Sequence, residues 1–219
     1  MHYQWDFSYL LQYKWIIWTG TLYTLGFTVL TAMSGLLTGG IIALANLSRI
    51  RIVNAFLTGL VETFRCTPVL VQLVWCYYAL PVLIGIELRP SVAAFITLTI
   101  YGGSFYGEII RGGIISVDPG QWDAGRAVGM RAHQLMSRVI LPQALKRMVP
   151  PLVNQTVLQL KNTSLLSVLA VPDLLYQGQL ITSATYRPLE TYTMIAVIYF
   201  ILLFPLTRFA RRLEAQMPK

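Results

Sequence analysis

DPGQWDAGRAVGMRAHQLMSRVILP, residues 118–142, is a polar stretch set between two long apolar runs. Its local pattern is that of a folded loop. Asp118 can cap the free amides of a helix start, Pro119 suits the first helical position, and Gln121 stands where a capping-box partner belongs. The predicted short helix runs to about Val128 and is broken by Gly129, because glycine costs about 1 kcal/mol in a helix interior and permits a sharp bend or a close backbone approach. A second helical stretch is predicted to Leu141, stopped by Pro142. Ala124, Val128, Ala132, Leu135, Met136 and Val139 recur at helical spacing as one apolar face, while Asp123, Arg126, Arg131 and Arg138 stay polar. The expectation is an amphipathic helix-bend-helix at a membrane surface, either resting on headgroups or serving as a docking element.

The surrounding chain places that loop at a bilayer. Of 219 residues, 55% are hydrophobic and 12% charged, and the mean hydropathy is +0.59; this leaves too little polar surface to enclose a water-soluble core. The predicted spans are Thr21 to Asn46, Val53 to Leu83, Ser91 to Ile115, Met148 to Ala170 and Thr191 to Phe209, about five crossings of a bilayer that takes about 20 residues each. The fold class is all-α: a single multi-pass bundle over 1–219 with a cytoplasmic loop at 116–142. The second span carries Pro68, so it is either one kinked, tilted helix or two pieces meeting at Cys66-Thr67-Pro68; no polar loop interrupts it, which favours the kinked helix. No basic n-region or small-residue cleavage site marks the start, so the first span is expected to be retained.

Basic residues set the orientation, because Lys and Arg near span ends stay cytoplasmic. Arg49 and Arg51 follow span one; Arg111, Arg126, Arg131, Arg138, Lys146 and Arg147 surround the long loop; Arg208, Arg211, Arg212 and Lys219 close the chain. The alternate loops hold Lys14, Arg89 and Arg187. The N-terminus is therefore predicted outside and the C-terminus in the cytoplasm. The net charge of +8 follows from this asymmetry, and its spread over separate loops without aromatic interleaving argues against nucleic acid as a partner. Cys66 and Cys76 fall in the second span with no CxxC spacing, and His2 and His133 lie outside the spans, so neither a metal site nor an intramembrane hydrolase is indicated. Trp15, Trp18, Tyr77 and Tyr78 read as an interfacial belt.

The loop also carries a spacing: Asp123-Ala124-Gly125, three residues, Gly129, nine residues, Val139, one residue, Leu141-Pro142. This resembles the EAA loop of ABC importer permeases, Glu-Ala-Ala, three, Gly, nine, Ile, one, Leu-Pro. Asp123 replaces the Glu, keeping a carboxylate on a shorter arm, and Gly125 replaces the second Ala, which adds local flexibility. Glu62-Thr63-Phe64-Arg65-Cys66-Thr67-Pro68 with Val71-Gln72 is similar to the corresponding block of polar amino acid permeases, with Cys66 in place of Gly. Tyr106 to Ile114, Gly120-Gln121, Leu141 to Ala144 and Leu160 to Leu165 are similar to the later blocks of that subfamily.

The resemblance implies the transmembrane subunit of an ATP-driven importer in the bacterial inner membrane. Two permease subunits, identical or paralogous, would pair with two ATP-binding subunits and receive a polar amino acid, of the glutamine, glutamate, cystine or basic class, from a periplasmic binding protein. This chain has no Gly-x-x-x-x-Gly-Lys-Ser/Thr loop, so no cofactor is expected in it, and ATP and Mg would belong to the partner. Gln121, Asp123, Ala124, Gly125, Gly129, Leu141 and Pro142 are then the expected coupling residues. Close packing at Gly129 is expected to make a bulky replacement there abolish transport; the bland alternative is a simple helix break.

Charged side chains inside a bilayer cost about 2.5–3.5 kcal/mol on insertion scales and need a reason to be there. Glu62 and Arg65, and likewise Glu108 and Arg111, are spaced to pair on one helix face; neutralised packing or inter-subunit pairs are expected. Lys161, Asn162, Thr163 and Ser164, about 20 Å along their predicted helix, together with Thr67, are candidates for a substrate path, with a gate or dimer seam as the competing reading. The rival class is an ion- or proton-coupled secondary transporter or channel, which the lack of an evident internal repeat fits poorly.

Overall fold

The computed structural model describes residues 3–46 and 51–215, the side chains of Arg51 and Val53 excepted. His2, Arg49 and Lys219 lie outside the described residues. Among the described residues the chain is helical, with no strand. In chain order the helices are α1 (Lys14–Asn46), α2 (Arg51–Cys66), α3 (Val69–Ile84) and α4 (Pro90–Ile115). They continue with α5 (Pro119–Ala127), α6 (Ala132–Leu169), α7 (Leu174–Thr185) and α8 (Pro188–Ala215).

The bundle is organised by α1 and α4, which share its most extensive interface. Glycines bring their backbones together: a Cβ on Gly39 would stand 2.7 Å from the Gly107 nitrogen and 2.8 Å from the Gly103 oxygen, a spacing that only a missing side chain allows. Phe27 meets Ala94 and Leu98 farther along the same seam. Residue numbers rise together, so the two helices run parallel. α6 runs the other way against α4: Gln159 Nε2 donates to the Leu98 oxygen at 2.8 Å, Tyr106 bonds Thr156 at 2.9 Å, and Met148 packs on Gly113. α3 is likewise antiparallel to α4, with Leu73 among Ala94 and Leu98. α8 returns beside α6, tied by Asn154 to Glu214 at 2.6 Å. The chain thus traverses the bundle in alternating directions, and the C-terminal ends of α1, α4 and α8 share the end that carries α5.

α1 and α8 are long and apolar enough to cross a membrane alone, and α2 with α3, and α6 with α7, form two bent pairs. The first pair corrects the expected kinked helix, since its axes differ by 106° and the chain breaks at Thr67-Pro68. Proline removes an amide donor and steers the preceding residue out of the helical region. No polar loop is needed because Gln72 supplies the lost partner. Its Nε2 donates to the Phe64 oxygen at 2.7 Å, the Thr67 oxygen at 3.0 Å and Thr67 Oγ1 at 2.8 Å.

Pro142 does not stop its helix, contrary to expectation. The turn at Met136–Ile140 widens to a π turn, and the Leu141 amide bonds back to the Met136 oxygen. This moves a carbonyl out of the way of the proline ring. Gln143 Nε2 also takes up the Val139 oxygen at 3.0 Å. The same device precedes Leu80-Pro81, where Trp75–Ala79 is a π turn. The fourth predicted span is therefore the far part of a longer helix, which tightens to a 3₁₀ turn over Thr163–Leu169. α7, bent 44° from it, has no counterpart among the expected spans.

Candidate functional site

The corner between α4 and α6 is built from capping chemistry. Asp118 accepts the Gly120 amide at 2.6 Å and Pro119 takes the first helical position. The reciprocal half of the capping box is not made, because Gln121 Oε1 accepts instead from Gln143 Nε2 at 3.2 Å. At the other end of α5 the Met130 amide reaches the Gly125 oxygen at 3.0 Å and the Gly129 amide the Arg126 oxygen at 3.0 Å. That pair of bonds is a Schellman motif, and it puts Gly129 in the left-handed region at φ +77°.

The two glycines have exchanged their expected roles. A Cβ on Gly129 would meet nothing within 4 Å in this chain, whereas one on the buried Gly125 would land 2.3 Å from Leu135 Cδ1. Gly125 is thus the point of close approach, and Gly129 is needed for its backbone angle. Leu135 belongs to a buried cluster with Ile114, Val117, Ile140, Ala144 and Met148, flanked by Trp122 and Met130. Arg147 Nη1 donates to the Ser116 oxygen, and the Arg131 amide donates to Gln134 Oε1 at 3.0 Å, opening α6.

The expected apolar face divides accordingly. Leu135, Met136 and Val139 pack inward, while Ala124 and Ala132 are exposed and Val128 is 77% exposed. Gln121, Asp123, Ala124, Arg126, Ala127 and Val128 form one outward surface that mixes polar and charged groups with small apolar ones. Its charges balance, with Arg126 3.3 Å from Asp123. Leu141 and Pro142 are also exposed but lie on α6, beyond the π turn.

Glu62 with Arg65 and Glu108 with Arg111 pair as expected along each helix, and tertiary packing then joins the pairs. Arg111 grips Glu108 through two bonds of 2.9 and 2.8 Å, Arg65 bonds Glu62 at 2.9 Å, and Arg65 also stands 3.8 Å from Glu108. The Arg65 guanidinium lies over the Phe105 ring at 5.6 Å, where the ring face attracts it. The network fixes α2 to α4 just before the break.

Lys161 is exposed and Asn162 half-buried, with no bonded partner for the buried Asn162 Nδ2. The hydroxyls beside them are already engaged: Thr163 donates to the Leu160 oxygen at 2.6 Å and Ser164 to the Lys161 oxygen at 2.8 Å. Thr67 lies apart from this group, in a crevice of about 470 Å³ that Thr63, Phe64, Gln72, Cys76 and Thr97 also line. Several polar residues had no place in the sequence reading. Gln155 and Gln159 are buried on α6, leaving Gln155 Nε2 and Gln159 Oε1 unpartnered. Asp173, fully buried, caps α7 through the Leu175 and Tyr176 amides at 3.1 and 3.0 Å; an Asp directly before an apolar run was the signal for it.

Comparison with known proteins places this geometry. Residues 35–219 match the family described as binding-protein-dependent transport system inner membrane component. The glutamine transport system permease protein GlnP of Escherichia coli K12 is 36% identical over 216 residues, covering 94% of this chain and 99% of that protein. The probable glutamine ABC transporter permease protein GlnP of Bacillus subtilis 168 is 34% identical over 214 residues, covering 95% of this chain and 97% of that protein. Among solved structures, a crystal structure of an amino acid ABC transporter with histidines superposes with a TM-score of 0.91 at 34% identity, covering 98% of this chain and all (100%) of that one. An inward-facing form of the MetNI methionine ABC transporter shares the fold with a TM-score of 0.76 at 20% identity, over 94% of this chain and 99% of that one. The chain belongs to the family of binding-protein-dependent transport system inner membrane components, as a membrane permease subunit of an ABC transporter.

Proposed function

We propose that this permease imports a polar amino acid, of the class that includes glutamine, delivered by a periplasmic binding protein and driven by ATP hydrolysis on two separate subunits. The whole chain, 1–219, acts as one transmembrane domain beside a second permease subunit, the same or paralogous. ATP and Mg belong to the ATPase partners. The N-terminus lies outside and the C-terminus in the cytoplasm, a reading supported by the gathering of basic residues at the end of the bundle that carries α5.

The observation that carries this reading is the outward surface of α5, held by a cap at Asp118, a Schellman motif at Gly129 and the Gly125–Leu135 contact, with Val128 at its tip. Such a rigid corner transmits a partner's movement to α4 and α6, which enter and leave it. Lys161 and Asn162 are the proposed contacts with substrate, supported by the unpartnered Asn162 amide; Thr163 serves the helix. Val128→Glu tests the docking. It should abolish co-purification of the ATPase subunits and ATP-driven uptake into proteoliposomes, with thermal unfolding of the permease unchanged. Normal uptake by that variant would refute the docking surface.

A further inference from the structure

The N-terminal segment is tied to the start of α8 by a carboxylate with no solvent-exposed surface. Glu190 is fully buried. Its Oε2 accepts the Tyr3 hydroxyl at 2.5 Å, and its Oε1 accepts the Asp6 amide at 3.2 Å and Arg187 Nη1 at 3.1 Å. Arg187 also stands 4.0 Å from Asp6, and the Tyr9 hydroxyl meets Thr191 at 2.8 Å. The Glu190 carboxylate is thus turned inward, while the Asp6 and Arg187 side chains stay 46% and 39% exposed beside it.

The outer face carries a row of aromatic rings, with Gln4 and Ser8 exposed between and beside them. Tyr3, Trp5 and Phe7, at alternate positions, are 49%, 56% and 46% exposed. Trp5 meets Tyr3 edge-on at 5.6 Å and stacks on Phe7 at 5.7 Å. This row continues through the exposed Leu11, Trp15 and Trp18 into Leu22, Val29 and Leu30 on the flank of α1, a helix that crosses the membrane. Lys14 lies 5.9 Å over the Trp15 ring. Rings with a polar edge, beside a lysine and continuous with a lipid-facing flank, suit the headgroup zone of a bilayer.

We propose that residues 3–18 form an aromatic strap that lies in the lipid headgroup zone and is clamped to the start of α8 by Glu190. Which leaflet it occupies rests on the orientation proposed above; its contact with lipid does not. The strap fixes the depth of α8 relative to α1 at the membrane surface.

The test is fluorescence quenching of the full permease–ATPase complex in nanodiscs, taking the emission lost in Trp5→Phe as the Trp5 signal. A lipid with a nitroxide on its headgroup, present in both leaflets, should quench that signal, and aqueous iodide should not. Tyr3→Phe removes the strap's own bond to the carboxylate without touching the bundle, and should raise iodide access to Trp5 by about ten- to a hundredfold, the range a lost hydrogen bond to a charged group carries. Glu190→Gln should move access in the same direction. Iodide quenching in the unaltered protein would overturn the proposal. So would protection from both quenchers, which places protein over the strap, or protection that arises only on adding the binding protein. A reversed orientation changes none of these readings, because both leaflets carry the quencher.

Discussion

Gly129 separates two physical reasons for a glycine. At φ +77°, an L-residue pays about 1–2 kcal/mol that glycine does not. Since a Cβ there meets nothing within 4 Å, Gly129→Ala and Gly129→Leu should pay the same cost, while Gly129→Asn, which tolerates the left-handed region, should pay less. A loss of 1–2 kcal/mol corresponds to a change of about 5- to 30-fold in an equilibrium. It falls on the Schellman bonds that end α5, so exchange of their donor amides, at position 129 and Met130, should accelerate by that factor in the Ala and Leu variants alike. ATP-driven uptake should follow the same order, with Asn nearest to the unaltered protein. If Ala behaves like glycine and only Leu fails, the requirement is for space against a partner, and the backbone reasoning is wrong.

At Gly125 the order reverses. Gly125→Ala should be nearly neutral in thermal unfolding, because about 1 kcal/mol of helix propensity offsets an overpacking cost of about 1–3 kcal/mol that a swing of the Leu135 methyl relieves. Gly125→Phe should uncouple uptake from ATP, and Leu135→Ala in the same chain should restore part of it; no restoration would mean the two residues do not share that space. Gln72→Leu leaves the carbonyls at the α2–α3 break unpaired, at about 1–3 kcal/mol for a buried group so stranded, and a melting temperature equal to the unaltered protein's would show that the break stands without it. Arg65→Ala, which takes the cation from Glu62 and leaves Glu108 with Arg111 alone, should lower the melting temperature more than Glu62→Ala, whose partner keeps Glu108; equal effects would mean that the link from α2 to α4 contributes nothing.

Much of the architecture was legible because it is written locally. Asp118 and Pro119 mark the start of α5 by cap chemistry alone, and hydropathy placed α1, α4 and α8 with ends within several residues. The pairings within each helix, Glu62 with Arg65 and Glu108 with Arg111, follow from spacing; their union across α2 and α4 depends on packing that no local pattern records. The break at Thr67-Pro68 was one of two readings and the less favoured, because its hydrogen bonds are satisfied by Gln72, which sits beyond the proline and looks like an ordinary polar residue. Pro142 misled in the opposite direction, since a π turn lets the helix pass a proline that would otherwise end it. Gly125 and Gly129 could not be told apart in sequence, because a glycine needed for space and one needed for its φ angle are the same letter. α7 escaped because Leu174–Thr185 is short and mixed in polarity.

α6 is held against α4 where Met148 presses on Gly113, thirteen residues from Leu135 and thirteen from Lys161. At about 1.5 Å per residue these are two arms of about 20 Å on either side of one fulcrum. A stiff rod turning there would carry Lys161 as far as the α5 corner moves, in the opposite direction, but only by working against the bonds that Thr156 and Gln159 make to α4 on the far arm. Pro150 and Pro151 stand directly beyond the fulcrum and remove two rungs of the helix ladder. The rod is most compliant next to the point where it turns, so the stiffness of those few residues sets how much of the stroke reaches the far arm.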